Sequence, residues 1–251
     1  MQVIFVGAGP GDPELLTLRA ARLLQSCRCC IYAGSLISPE VLALLPATAT
    51  TYDSAGMTLE QVVQVYRQAR EADVDVVRLH SGDPSIYGAI REQMRELDAL
   101  GIAYQVVPGV SAFQAAAAAL RTELTAPEIS QTIILTRAAG RTSVPAAQEL
   151  IRLAAAHATL CLFLSVHKLK ELARTLAAEY GSECPAAAVY RASWPDQKIV
   201  RATLGTIAAR VAAEGIGRTA LIVVGQALGQ SGPASRLYDA GFSHGYRQAD
   251  E

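Results

Sequence analysis

Short apolar runs rich in Val and Ile alternate with longer segments of helical period along most of this chain. Segments 59–70 and 90–100 carry apolar residues every three or four positions, as helices packed on a sheet require. Strands that alternate with helices favour an α/β fold with largely parallel sheets. The strand-like runs are QVIFVG, CCIYAG, DVVRLH, AYQVVPG, TIILTR, TLCLFLS, AAAVYR and ALIVVG.

This alternation is interrupted in the stretch LRTELTAPEISQ, where turn-forming residues replace the apolar period. The chain has 251 residues and is 51% hydrophobic, so it can bury a substantial core in each of two domains. We therefore predict an α/β domain over residues 1–120 and a second over residues 121–232. The last residues show no sustained period, so residues 233–251 are predicted to form an extended tail.

Charge and apolar content exclude several classes of protein. The net charge of -1 provides no overall attraction to nucleic acid or to an anionic membrane. The longest apolar runs, such as ATLCLFLSV, are about half the length of a bilayer-spanning helix. The first residues lack the features of a secretory signal, so we expect a cytoplasmic protein.

The five cysteines form neither an even framework nor a pair of C-x-x-C motifs. We expect reduced thiols and no metal site, which suits a cytoplasmic location.

The glycine-rich turn GAGPGD follows the first strand and resembles a nucleotide-binding fingerprint. It departs from G-x-G-x-x-G because Asp12 occupies the sixth position, and no acidic residue follows at the distance that holds a ribose. Asp12 would also repel a pyrophosphate, so an NAD site is disfavoured. Two interpretations stay open from spacing alone: a loop shaped for another ligand, or a tight turn with Asp12 or Thr17 as helix N-cap.

Three loops of small residues follow strands in the first half: GAGPGD, LHSGDPSIYG and VPGVSAF. The carboxyl ends of parallel strands share one edge, and open α/β sheets bind ligands there. The sequence therefore predicts a binding site at this edge.

Several longer motifs resemble the tetrapyrrole methylase family, over essentially the whole chain. They are VGAGPGDPELLTLRA, YAGSL, DSAGMTLE, VVRLHSGDPSIYGAI, VPGVSAFQAAAAAL, ELTAPEISQTIILTRAAGRT, YRASWPDQ and SRLYDAGFSHGYR. YAGSL, DSAGMT and ELTAPE are similar to the branch that methylates a corrin precursor in cobalamin biosynthesis. The resemblance implies two α/β/α domains, S-adenosylmethionine in a cleft between them with S-adenosylhomocysteine as product, a tetrapyrrole substrate and a homodimer.

The resemblance also implies roles for individual residues. The opening loop would face the tetrapyrrole through Gly9 and Gly11, with Pro10 on the cofactor side. The other cofactor contacts would be Ser81, Gly82, Asp83, Ile86, Ser111, Ala112, Leu164, Ala192, Thr219 and Ala220.

One departure from the wider family concerns proton transfer. Uroporphyrinogen methyltransferases carry an acid and a lysine where this chain has Ala33 and Asp53. This argues against uroporphyrinogen as substrate and leaves Asp12, Asp53 or His80 as candidate bases.

A tetrapyrrole bears many carboxylates, which arginines bind with a forked geometry. The candidate arginines are Arg121, Arg137, Arg141 and Arg191. One alternative to methylation of a metal-free tetrapyrrole is methylation of its cobalt-loaded form. The other alternative functions are an NAD-linked oxidoreductase and a non-catalytic tetrapyrrole carrier.

Overall fold

The computed structural model describes residues 1–140, 142–229, 235, 237 and 239–248. Contacts divide the chain into two units. The first comprises Met1–Ala116 together with Arg191–Gln197, and the second comprises Ala117–Tyr190 with the described residues from Lys198 onward. The division lies within a helix close to the predicted boundary at residue 120, and it assigns to the first unit a short segment from the second half of the chain.

The first unit is built on five parallel strands in the order β3-β2-β4-β1-β5. The strands are β1 (Gln2–Gly7), β2 (Cys29–Tyr32), β3 (Thr50–Asp53), β4 (Val76–His80) and β5 (Ala103–Val107). Its helices are α1 (Leu18–Gln25), α2 (Pro39–Leu42), α3 (Leu59–Glu71), α4 (Arg91–Leu100) and the start of α5 (Ala112–Leu120).

Alternate residues of β1 supply two separate cores, one on each face of the first sheet. Val3 and Phe5 pack among buried residues of α3 and α4, while Ile4 and Val6 pack among residues of α1 and α2. This two-sided burial is what a parallel sheet requires, and it explains the continuous apolar run in the sequence. The parallel α/β prediction is confirmed in this unit.

The second unit contains a mixed sheet in the order β6-β7-β10-β8-β9. Only β6 and β7 are parallel, whereas the other neighbouring pairs are antiparallel. The expectation of largely parallel strands therefore does not hold here. The strands are β6 (Ile133–Arg137), β7 (Thr159–Phe163), β8 (Pro185–Tyr190), β9 (Lys198–Thr203) and β10 (Ala220–Val224), and the helices are α6 (Leu150–Ala154), α7 (Leu169–Tyr180) and α8 (Ile207–Ala213).

The core of the second unit joins alternate strand residues to the apolar faces of its helices. Leu160, Leu162 and Ile222 are fully buried and pack with Leu176 of α7 and Ile207 of α8. Part of the predicted tail lies outside the described residues. Residues 239–248 form turns closed by hydrogen bonds to carbonyls.

The five cysteines all lie in the described part of the chain and are free and buried. Burial raises the pKa of the Cys161 thiol to about 12 and is the main reason that the pKa of Cys184 rises to about 11. Among the described residues, no helix has the length and apolarity to cross a membrane.

Candidate active site

The loops after β1, β4 and β5 meet at the carboxyl edge of the first sheet. Strand β1 lies between the other two, with Gly7 beside His80 and Val6 beside Val107. Beyond the strands, the Gly9 N–H donates to the Gly82 carbonyl at 3.2 Å and the Gly82 N–H donates back at 2.7 Å. The predicted convergence of the three loops is confirmed.

The backbones of these loops are in direct contact at three glycines, Gly7, Gly82 and Gly109. A Cβ atom on Gly7 would lie 2.6 Å from the Gly109 Cα and 2.7 Å from the Gly82 carbonyl oxygen. A Cβ on Gly109 would overlap that same oxygen. Gly109 was not among the predicted site residues, although it lies two positions after β5, as Gly82 lies two positions after β4.

Asp83 links the loop after β4 to the loop after β5. Its Oδ2 accepts the Gly109 N–H at 2.9 Å, and its Oδ1 accepts the Ser85 N–H at 2.8 Å. The carboxylate therefore caps its own turn and also joins two loops. It also places a negative charge at this edge, which would favour a cationic ligand group.

The other predicted cofactor residues of the first unit lie on these loops or on the Arg191–Gln197 segment. Ser81 and Ile86 belong to the loop after β4, where the Ile86 N–H bonds the Asp83 carbonyl at 3.2 Å. Ser111, only 3% exposed, directly precedes α5, and Ala112 begins that helix. Ala192 is buried within the Arg191–Gln197 segment.

The cofactor residues predicted in the second unit lie together at one end of its sheet. Leu164 follows β7, and Thr219 directly precedes β10, which begins at Ala220. Strands β7 and β10 are antiparallel neighbours, so the end of one lies beside the start of the other. Leu164 and Thr219 both have a left-handed φ of 54°, and the Leu164 side chain is 65% exposed. Strained backbone conformations of this kind cluster at functional sites.

The opening loop does not have the geometry of a dinucleotide-binding turn. Asp12 caps a short 3₁₀ helix, Pro13–Leu15, by accepting the Glu14 N–H at 2.8 Å. Helix α1 begins only at Leu18, where Thr17 is the N-cap. Both caps of the tight-turn interpretation are therefore present, and the loop also turns with a left-handed φ of 67° at Gly9.

Side chains that sequence reasoning missed hold this loop in place. The Trp194 indole donates to the Pro10 carbonyl, and the Ser193 hydroxyl accepts the Asp12 N–H. The Ser38 hydroxyl donates to the Gly11 carbonyl at 2.5 Å. Trp194 and Ser193 lie in the YRASWPDQ motif, but their distance along the chain from the loop hides the contact from any local pattern.

His80 is the last residue of β4 and is buried, with its ring centroid 5.9 Å from that of Phe5. Its Nε2 has no hydrogen-bond partner in the described part of the chain. Burial, reinforced by the charge of Arg78, lowers the pKa of His80 to about 3. This environment does not favour His80 as a proton acceptor near neutral pH, since such a weakly basic imidazole binds protons poorly.

Buried polar residues surround the Arg78 guanidinium, which donates to Gln93 at 3.0 Å and to the Ile31 carbonyl at 3.4 Å. Gln93 also accepts the Tyr66 hydroxyl at 2.7 Å. These side chains partly satisfy a charge that burial makes costly, and burial lowers the pKa of Arg78.

Ala33 and Asp53, the positions expected to differ from those of uroporphyrinogen methyltransferases, are close together. Ala33 follows β2 and Asp53 ends β3, its neighbour in the sheet. A Cβ atom on Gly34 would lie 2.9 Å from the Asp53 Oδ1, so the carboxylate lies against the turn after Ala33. The Asp53 side chain is exposed and caps residues Ser54–Gly56. Asp53 therefore presents a carboxylate to solvent at the carboxyl edge of the first sheet.

The candidate arginines are distributed over both units. Arg191, in the first unit, forms an ion pair with Asp196 at 2.6 Å and lies 4.6 Å above the Trp194 ring. Arg121 and Arg137 belong to the second unit, and Arg137 donates to the carbonyls of its own loop. Arg141 lies outside the described residues.

Comparisons with known proteins agree with this arrangement. The chain is 49% identical over 251 residues to a precorrin-4 C(11)-methyltransferase of Pseudomonas aeruginosa, and the match covers 100% of both chains. A solved structure of a cobalt precorrin-4 methyltransferase superposes with a TM-score of 0.88 at 41% identity, covering 90% of this chain and 95% of that one.

A more distant solved structure is a uroporphyrin-III C-methyl transferase from Thermus thermophilus in complex with S-adenosylhomocysteine. It has a TM-score of 0.76 at 31% identity and covers 91% of this chain and 94% of that one. The family model of tetrapyrrole (corrin/porphyrin) methylases matches residues 2–208. The chain therefore belongs to the tetrapyrrole (corrin/porphyrin) methylase family.

Proposed function

We propose that this enzyme transfers a methyl group from S-adenosylmethionine to ring carbon 11 of precorrin-4, giving precorrin-5 in cobalamin biosynthesis. The main support is that three loops of small residues converge at the carboxyl edge of the parallel sheet. Hydrogen bonds between Gly9 and Gly82 and to the Asp83 carboxylate join these loops. The identity to precorrin-4 methyltransferases over the whole chain supports the choice of substrate.

The residues at this edge fit a cofactor with a cationic centre and a flat base. Gly82 has a left-handed φ of 64°, and a Cβ there would have no neighbour nearer than 3.6 Å. The backbone is therefore open on that side, so main-chain groups can contact a ligand directly. Asp83 supplies negative charge, while Ser111 and Ala112 offer small side chains at the start of α5. The bound cofactor supplies an electrophilic methyl group on a sulfonium.

Leu164, Ala192, Thr219 and Ala220, with Pro10, complete the proposed set of cofactor contacts. Leu164 offers an exposed apolar side chain to an adenine ring. The strained backbone at Leu164 and Thr219 supports this assignment, because such conformations persist where function requires them.

The task of the protein in this reaction is alignment. The electron-rich macrocycle provides the attacking carbon, so no side chain has to act as nucleophile. The forming bond joins that carbon to the methyl group, the carbon–sulfur bond breaks, and S-adenosylhomocysteine leaves. The loop through Gly9 and Gly11 is assigned to the tetrapyrrole side.

A base is needed if the methylated ring then loses a proton. Asp12 and Asp53 are the proposed candidates, because each carboxylate lies on a loop at the carboxyl edge of the first sheet. In both, one oxygen caps a short helix and the other can accept a proton. His80 is less suited, since its pKa is about 3.

The carboxylates of the substrate are assigned to arginines, with Arg191 the best placed. It lies two residues from Ser193, which contacts the opening loop. Arg121, Arg137 and Arg141 remain candidates from the sequence. We further propose a cytoplasmic homodimer, on the basis of the family resemblance.

The substrate assignment is tested with purified protein, methyl-labelled S-adenosylmethionine and precorrin-4 in metal-free and cobalt-loaded forms. We expect one methyl group per tetrapyrrole, with the metal-free form preferred. Preference for the cobalt-loaded form would select the alternative substrate. Cofactor binding without turnover on either form would instead favour a carrier.

A further inference from the structure

The segment Arg191–Gln197, called here the Trp194 segment, is internally braced. The backbone N–H of Trp194 donates to the Arg191 carbonyl, and the backbone N–H of Gln197 donates to the Trp194 carbonyl, both at 3.0 Å. The Gln197 side chain accepts the Ser193 N–H at 2.8 Å. Arg191 stacks on the indole and pairs with Asp196. These contacts hold the indole in one orientation.

The Trp194 segment holds two consecutive peptide groups of the opening loop. The indole Nε1 donates to the Pro10 carbonyl at 2.8 Å, and the Ser193 Oγ accepts the Asp12 N–H at 3.0 Å. The carbonyl of Gly11, between them, accepts the Ser38 hydroxyl. Each hydrogen bond fixes a different residue, so the loop cannot shift without breaking several of them.

The indole lies directly against Gly11 of the opening loop. A Cβ atom at this position would overlap Cδ1 and Nε1 of Trp194, and the backbone has a φ of 156° that disfavours other residues. The glycine therefore serves to admit the tryptophan, a reason that spacing within GAGPGD does not reveal.

The same short segment also carries Ala192, which is buried and is one of the proposed cofactor contacts. At its other end, the opening loop is tied to Gly82 of the proposed cofactor loop. Ala192, a proposed cofactor contact, is therefore only two positions from Trp194, which holds the opening loop. Both residues lie on one rigid turn.

We propose that Trp194 is a positioning residue for methyl transfer: it fixes the opening loop against the tetrapyrrole and transmits cofactor binding at Ala192 to that loop. This inference rests on the proposed function for its kinetic consequence. The positioning of the loop by Trp194 is a property of the protein alone and can be measured without substrate.

The first test is amide hydrogen exchange over residues 7–16 in the ligand-free protein. Trp194→Phe keeps a ring but removes the donor, and Ser193→Ala removes the acceptor of the Asp12 N–H. Since a hydrogen bond of this kind contributes about a factor of five to local opening, each variant should exchange about fivefold faster there. Tyr104→Phe, which removes an aromatic hydroxyl bonded to Asp98 in the same unit, is the matched control.

The second test measures coupling to the cofactor. Saturating S-adenosylhomocysteine should slow exchange of residues 7–16 in the parent but much less in Trp194→Phe. Calorimetry should give a Kd for S-adenosylhomocysteine within about twofold of the parent, whereas kcat/KM for precorrin-4 should fall about tenfold.

These results separate the alternatives. Parent-like exchange in both variants overturns the proposal, and so does a loss of S-adenosylhomocysteine affinity as large as the loss of kcat/KM, which would make Trp194 part of the cofactor site. If the parent transfers no methyl group to precorrin-4, the proposed function fails. The exchange measurements then still decide whether Trp194 holds the loop.

Discussion

The burial of His80 predicts a specific dependence of stability on pH. His80 is 4% exposed and lies beside Phe5 in the core of the first unit, and its pKa of about 3 is far below the ordinary value of 6.5. Above pH 6.5 the imidazole is neutral in both the folded and unfolded protein, so it does not make the free energy of unfolding depend on pH. As the pH falls below 6.5, the unfolded chain binds a proton that the folded protein excludes, and stability is lost until the pH approaches 3.

The size of the stability loss follows from the difference between the ordinary pKa of histidine and the pH of the experiment. At pH 5 the difference is about 1.5 units, which corresponds to about 2 kcal/mol of unfolding free energy from this one side chain. His80→Asn removes the titration while keeping a polar group of similar shape. The variant is expected to lose about 2 kcal/mol less than the parent between pH 7.5 and pH 5.

Urea unfolding followed by tryptophan fluorescence is the suitable assay. Trp194 is the only tryptophan in the sequence and belongs to the same unit as His80, so its emission reports the unfolding of that unit. His167→Asn, at an exposed histidine of the second unit, is the matched control for removing one imidazole. If His80→Asn and the parent lose the same free energy between the two pH values, the argument that His80 is buried and neutral is refuted.

Three further predictions concern the site. Gly82→Val forces a β-branched residue to φ 64°, so calorimetry should show that affinity for S-adenosylhomocysteine falls at least tenfold while circular dichroism stays parent-like; unchanged affinity would remove the loop from the cofactor site. Gly109→Ala places a methyl group on the Gly82 carbonyl and 2.8 Å from the Gly7 Cα, and should destabilise the first unit by about 3 kcal/mol in urea unfolding; a loss below about 1 kcal/mol would contradict this close packing. Arg191→Lys should weaken tetrapyrrole binding severalfold, and parent affinity for the tetrapyrrole should fall with added salt; a variant that binds like the parent at every salt concentration excludes Arg191 as a substrate contact.

The sequence was sufficient to predict the strands that are buried on both faces. Continuous apolar runs identify β1 and β10, because burial from both sides favours apolar residues at successive positions. Strands β3 and β9 were missed, since each lies at a sheet edge and is largely exposed. The exposed positions of these two strands carry polar residues such as Thr50 and Lys198, so neither strand has the apolar run on which the prediction depends.

Strand direction in the second sheet was predicted wrongly for a related reason. Apolar runs carry no information about direction, which depends on the connections between strands. The segment Arg191–Gln197 between β8 and β9 is too short for a crossover helix, so these strands must be antiparallel. The short connection between β8 and β9 could therefore have predicted that these two strands are antiparallel.

The candidate site was predictable where it depends on local sequence. Small residues after consecutive strands placed the loops of Gly9, Gly82 and Gly109 at one edge, because parallel strands align their carboxyl ends. The contact between Gly11 and Trp194 was not predictable, since 183 positions separate the two residues and no periodic pattern links them.

The late position of the Trp194 segment imposes an order of events during synthesis. The last strand of the first sheet ends at Val107, but the partner of the Pro10 carbonyl leaves the ribosome only after Trp194 has been added. The 87 residues from Val107 to Trp194 take about 4–17 s to add at about 5–20 residues per second. The nascent sheet can form during that time, while its opening loop still lacks two of its hydrogen bonds. A chain that terminates before this segment would therefore carry a folded sheet with an unanchored opening loop.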